Sequence, residues 1–140
     1  MVAVATHLAD TSVLARLQKP AVAEVVVPLI DRGLVAVCAV VEMEIRVGAK
    51  NPRHRDNVSE WLLGFERLPI SDDIFNRAID VQFDLVETSG HRTVRIPDLL
   101  IAAIAERHRV TVLHYDKDFD RIAEVTGQPT EWVVPPGEAD

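Results

Sequence analysis

One cysteine, Cys38, in 140 residues leaves nothing for an intramolecular disulfide, so no covalent staple is available to this chain. Its apolar neighbours make it a buried small hydrophobe, and the expected setting is a reducing compartment, the cytoplasm. Cations are also short: 15 lysines and arginines face 22 aspartates and glutamates, a formal net charge of -7 at pH 7. That balance argues against a general nucleic-acid coating protein, because neutralising phosphates needs a cationic excess. Apolar runs are brief. The N-terminal one meets Thr6 and His7 before Asp10 and follows no basic leader, so neither a signal peptide nor a membrane span is expected. A Gly-rich phosphate loop is missing too, which counts against a nucleotide switch or kinase.

What the chain does have is carboxylates in telling places. The stretch Ile96 to Ala105 puts one acid, Asp98, at the head of an almost wholly apolar segment. Pro97 supplies first-turn geometry, so Asp98 falls in the first turn of a helix, where the dipole favours its charged form. The helix runs to about Arg107 and is apolar on every face, the mark of an element buried in mid-domain. By position alone Asp98 is a helix-start residue; acids in matching positions elsewhere change that reading.

Residues 2–9 read as a first strand ending in Asp10-Thr11-Ser12, with Val13, Leu14 and Leu17 at helical spacing after it. Ligands of open parallel sheets gather at the carboxyl ends of strands, although Asp10, Thr11 and Ser12 are also ordinary helix caps. Residues 21–32 form a second helix closed by Gly33, with Pro28 expected to kink or break it. A strand over 34–38 precedes a helix over 39–50 that holds two acids, Glu42 and Glu44. At about 100° per residue these point roughly 200° apart, so at most one reaches a shared site. Glu42 has Arg46 four residues on as a pairing partner, while Glu44 is flanked by Val40, Val41, Val47 and Gly48. Glu44 is therefore the inward carboxylate, costly there unless paired or metal-bound.

Residues 50–57 read as a basic, solvated connector, followed over 58–68 by Trp61, Leu62 and Phe65 at helical spacing, as core or dimer surface. A short edge strand is expected over 68–70, then a long helix over 72–87 with Ile74, Ala78, Val81, Leu85 and Val86 on its buried stripe. His91, Arg92 and Arg95 lead into Pro97 and are candidates for the mouth of a site. Residues 110–113 are a buried strand that again ends in acids, Asp116, Asp118 and Asp120. Residues 132–134 add a last strand, and 135 onward reads as a frayed tail. Alternating helix and strand periods argue for one α/β domain over 1–134, with a mainly parallel central sheet flanked by helices. A core of this size buries about two-thirds of the unfolded surface.

Asp10, Glu44, Asp98 and Asp116 brought together would repel one another strongly, so cations must accompany them. Hard oxygen donors with no matching Cys or His cluster select Mg²⁺ or Mn²⁺ over zinc. Such a site suits phosphodiester hydrolysis, and bridging cations would reconcile an acidic protein with a nucleic acid substrate.

Asp10-Thr11-Ser12, the run Glu44 to Ala49, Pro97-Asp98 with the helix after it, and Asp116-Lys117-Asp118-Phe119 together resemble the PIN-domain ribonucleases, specifically the VapC toxins of type II VapBC toxin-antitoxin pairs. The match spans nearly the whole chain in order. The resemblance implies a PIN-like three-layer fold, with Asp10 and Asp98 as principal metal ligands and Glu44 and Asp116 completing the acidic pocket. Asp118 would contribute to the metal site, and Thr11, Ser12, Arg46 and Arg95 would support the acids or touch substrate. It further implies Mg²⁺-dependent cleavage of structured RNA, transfer or ribosomal, inhibition of translation, a VapB-type antitoxin covering the site, and a homodimer within a larger complex. His114 departs from the family, whose members often have threonine there. Two rivals stand beside this: a PIN-like module that binds RNA or a partner without cutting, and a small-molecule phosphatase. The phosphatase is disfavoured because position 12, two residues after Asp10, is serine and not the second aspartate its nucleophile motif requires.

Overall fold

The computed structural model describes residues 3–89 and 94–140. Its elements are β1 (His7–Ala9), α1 (Thr11–Leu14), α2 (Pro20–Asp31), β2 (Val35–Cys38), α3 (Ala39–Val47), α4 (Pro52–Leu62), β3 (Glu66–Leu68), α5 (Asp72–Ser89), α6 (Ile96–His108), β4 (Thr111–His114), α7 (Asp118–Thr126) and β5 (Thr130–Trp132). The five strands form one sheet in the order β3-β2-β1-β4-β5, and every pairing is parallel. A parallel sheet needs both faces covered, and its strands read as continuous apolar runs rather than alternating ones. All of Val35, Ala36, Val37 and Cys38 are accordingly buried. Val112 joins the larger apolar cluster with Ile101 and Ile104 of α6, while its neighbour Leu113 joins a smaller one with Val13, Val22 and Val26.

α6 is the packed centre. Leu99, Ile101, Ala102, Ala103, Ile104 and Ala105 are all buried, which is why its composition is apolar all round. It packs on α5, α7, α3, β4 and β1. Arg109 ends it in the left-handed conformation at φ 58°, the stop geometry that glycine usually supplies.

Several local expectations are corrected. β1 starts at His7, because the backbone N–H groups of Val4 and Ala5 turn instead to the carboxylate of Glu66; Val2 lies outside the described residues. Pro28 does not break α2: it sits one turn from the C-terminus, where its missing N–H forfeits a single bond and the helix is already ending. The basic segment 50–57 is no loop, since Asn51 caps α4 by accepting the N–H of His54 at 2.8 Å and Pro52 opens the first turn. The edge strand falls at Glu66–Leu68 rather than 68–70, and β5 at Thr130–Trp132 rather than 132–134. On α5 the stripe Ile74, Ala78, Val81 and Leu85 is buried as expected, but Val86 is exposed.

The tail does not fray. The Tyr115 hydroxyl accepts the N–H groups of Gly137 at 2.8 Å and Ala139 at 3.0 Å and donates to Asp140 at 2.7 Å. Arg16 lies 4.7 Å over the Tyr115 ring and donates from Nε to the Ala139 carbonyl at 2.9 Å. One phenol thus gathers residues 137–140 onto the sheet, and Ala139 is buried.

Replacing Tyr115 by Phe leaves two amides without their acceptor. The expected result is a loss of about 1–3 kcal/mol in chemical denaturation, with hydrogen exchange accelerated at Gly137 and Ala139 and little changed in α6.

Candidate active site

The strand order turns back between β1 and β4, so their carboxyl ends border the crevice where an open parallel sheet offers a site. Asp10 follows β1. It is the N-cap of α1, its Oδ2 accepting the Ser12 N–H at 3.0 Å and the Ser12 hydroxyl as well. The same hydroxyl oxygen accepts the N–H of Tyr115 at 2.9 Å, so Ser12 ties the two strand ends together. Capping uses only one oxygen: Asp10 Oδ1 is buried with no hydrogen-bond partner.

Asp98 enters from the first turn of α6, fully buried, with Oδ2 also lacking a partner. Two orphaned carboxylate oxygens in a buried acidic crevice are expensive unless something positive meets them. Asp98, Asp116 and Asp118 each present an oxygen within 4.8 Å of the others, a donor set that fits a hard divalent cation. Asp10 lies outside that triad but close enough to act on Asp98 electrostatically.

Glu44 reaches the crevice from α3. Its Oε1 accepts the Thr11 hydroxyl at 2.8 Å and its Oε2 accepts Arg95 Nη2 at 3.0 Å; the same guanidinium approaches Asp98 Oδ1 at 3.5 Å. Glu42 turns away to Arg46 at 2.9 Å and Arg67 at 3.1 Å. Arg46 is thereby placed on Glu42, not among the clustered acids. Val40 and Val41 support the inward side of α3, whereas Val47, counted with them in the sequence, is 87% exposed. His91 and Arg92 lie outside the described residues. Beside Asp116 a cavity of about 470 Å³ opens between Arg16, Tyr115, Lys117, Trp132 and Gly137.

The electrostatics follow from burial. Asp98 is pushed up to about 7, chiefly by desolvation and then by the charge of Asp10, with Arg95 opposing. Asp10 is also raised, again by burial, against the lowering effect of its Ser12 bonds. His114 at the end of β4 is pushed down to about 4 by desolvation, so its imidazole is neutral. Its Nδ1 accepts the Asp116 N–H at 3.2 Å. The sequence marked this residue as a departure from the family it resembles; the contact itself needs the turn to be seen.

A family model described as "PIN domain" matches residues 8–125. Ribonuclease VapC21 of Mycobacterium tuberculosis is 42% identical over 134 residues, covering 95% of this chain and 97% of that protein. Ribonuclease VapC51 of the same organism is 42% identical over 134 residues, covering 96% and 97%. Among solved structures, DNA-bound VapBC from Salmonella typhimurium superposes with a TM-score of 0.74 at 15% identity, covering 93% of this chain and 99% of that one, a likeness of fold.

A carboxyl whose folded pKa stands above its unfolded value binds its proton more tightly when folded, so its contribution to stability falls as pH rises from about 4 to about 7. With chelator present, Asp98→Asn is therefore expected to be more stable than the parent, the gain growing by about 2 kcal/mol between pH 5 and pH 8. Denaturant melts of both proteins across that range check it; a gain largest at pH 5 contradicts the assignment.

Proposed function

The chain belongs to the PIN-domain family, among relatives named VapC ribonucleases, and from that premise we propose that it is the toxin of a type II toxin-antitoxin pair. Its activity is Mg²⁺-dependent endonucleolytic cleavage of structured RNA, transfer or ribosomal, in the cytoplasm, which inhibits translation; Mn²⁺ substitutes. The observation that carries the reading is the pair of buried, unpartnered oxygens on Asp10 and Asp98 beside the triad of Asp98, Asp116 and Asp118. Buried carboxylate oxygens with no protein partner in an acidic crevice support reading it as a cation site.

Asp10, Asp98, Asp116 and Asp118 would hold the metal. When bound, it supplies Lewis acidity to the phosphodiester and lowers the pKa of water. Glu44, fixed by Thr11 on one oxygen and Arg95 on the other, takes up the proton of the attacking water. Arg95, with its side chain 62% exposed, is the cation at the rim that can meet the scissile phosphate. Ser12 keeps Asp10 in register with the end of β4. Coating of RNA is not needed, since a bound cation together with Arg95 at the rim would offset phosphate charge locally. The partners proposed are a VapB-type antitoxin that covers the crevice and a second copy of this chain. The relatives support an antitoxin through the VapBC pairing named for the Salmonella structure. No helix among the described residues is long and apolar enough to cross a membrane.

Purified protein freed of antitoxin is expected to cut total cellular RNA into discrete fragments with Mg²⁺ or Mn²⁺ and to leave it intact with chelator. Asp98→Asn is expected to stay folded and to reduce cleavage to background. A variant retaining full metal-dependent activity overturns the assignment, and intact RNA alongside measurable cation binding favours a PIN module that binds without cutting.

A further inference from the structure

His114 is fully buried, its imidazole centroid 5.0 Å from the rings of both Phe119 and Trp132. Because Nδ1 accepts the Asp116 N–H, the ring proton sits on Nε2, and that N–H is buried without a partner. An unpaired buried donor is destabilising, so the imidazole is a poor choice if filling space were its only task. Its geometry is informative. A side-chain acceptor at one residue bonded to the N–H two residues on is the turn that Asn, Asp, Ser and Thr commonly make, and imidazole Nδ1 occupies the position of an Asn Oδ1. Asp116 repeats the pattern, its Oδ1 accepting the Asp118 N–H at 2.9 Å. Two successive contacts of this type therefore set residues 114–118, the turn that delivers two of the three clustered carboxylates, while Arg121 steadies Asp118 at 3.3 Å.

We propose that His114 is a positioning residue: its Nδ1 holds the Asp116 backbone so that the carboxylates of Asp116 and Asp118 converge on Asp98. The proposal rests on reading that cluster as a cation site. Outer contacts that orient metal ligands typically change metal affinity by about 10–100-fold when removed. Packing of the ring and acceptance by Nδ1 are separable, because one substitution keeps volume without an acceptor and another keeps the acceptor with less volume.

The test is calorimetric titration of the full chain with Mn²⁺, for the parent, His114→Leu and His114→Asn, with hydrogen exchange at the Asp116 amide and thermal melts alongside. His114→Leu is expected to bind Mn²⁺ at least about tenfold more weakly and to expose the Asp116 amide. His114→Asn is expected to stay within about threefold of the parent, even if it melts lower for want of ring packing. Affinity that follows melting temperature, with Leu milder than Asn, overturns the proposal, as does affinity unchanged in both variants. A parent protein that binds no Mn²⁺ overturns the cation-site reading itself, which separates the two failures.

Discussion

The parallel pairing of β1 with β4 is the constraint on which the site depends. His7, Leu8 and Ala9 register against Thr111, Val112 and Leu113, and the Asp10 N–H continues the ladder onto the Leu113 carbonyl at 2.9 Å. That single register sets two acid-bearing turns side by side at the point where the strand order reverses. Ser12 then locks them, one hydroxyl serving Asp10 as donor and Tyr115 as acceptor. A slip of one residue would turn the strand faces over and part the carboxylates. α6, packed on β1 and β4, presents Asp98 to the same crevice from its first turn.

Against this scaffold the acids work at a cost. Desolvation and mutual repulsion raise Asp98 and Asp10, and only part of that is offset within the chain, by Arg95 on Asp98 and by Ser12 on Asp10. Glu44 is better provided for, with a hydroxyl on one oxygen and a guanidinium on the other. Glu42 has its charge met within the chain by Arg46 and Arg67, whereas Asp10 and Asp98 each keep a buried oxygen without a protein partner. The stability surrendered there is offset by the burial of α6 and by sheet faces covered on both sides.

Much of this was legible from local pattern. A proline followed by an acid at the head of an all-apolar helix located Asp98, and helical spacing separated Glu44 from Glu42. Apolar runs bounded by acids marked the ends of β1 and β4. Other features misled for identifiable reasons. Charge made residues 50–57 look like a loop, though Asn51 and Pro52 are a strong helix start. Pro28 looked like a break because an interior proline removes a backbone hydrogen bond, but so near the end of α2 that loss stays local. The tail looked free because its anchor, Tyr115, is more than twenty residues away in sequence.

The amino-acid sequence alone determined the alternation of strands and helices, the buried character of α6 and the acids at element ends, because periodicity and capping act over a few residues. Tertiary structure decided which acids meet. It grouped Asp98 with Asp116 and Asp118, set Asp10 close enough to act on Asp98, and drew Arg95 across Glu44. Those outcomes depend on strand order and on contacts between residues far apart in the chain, and the burial that raises Asp98 and Asp10 is likewise encoded in no local pattern.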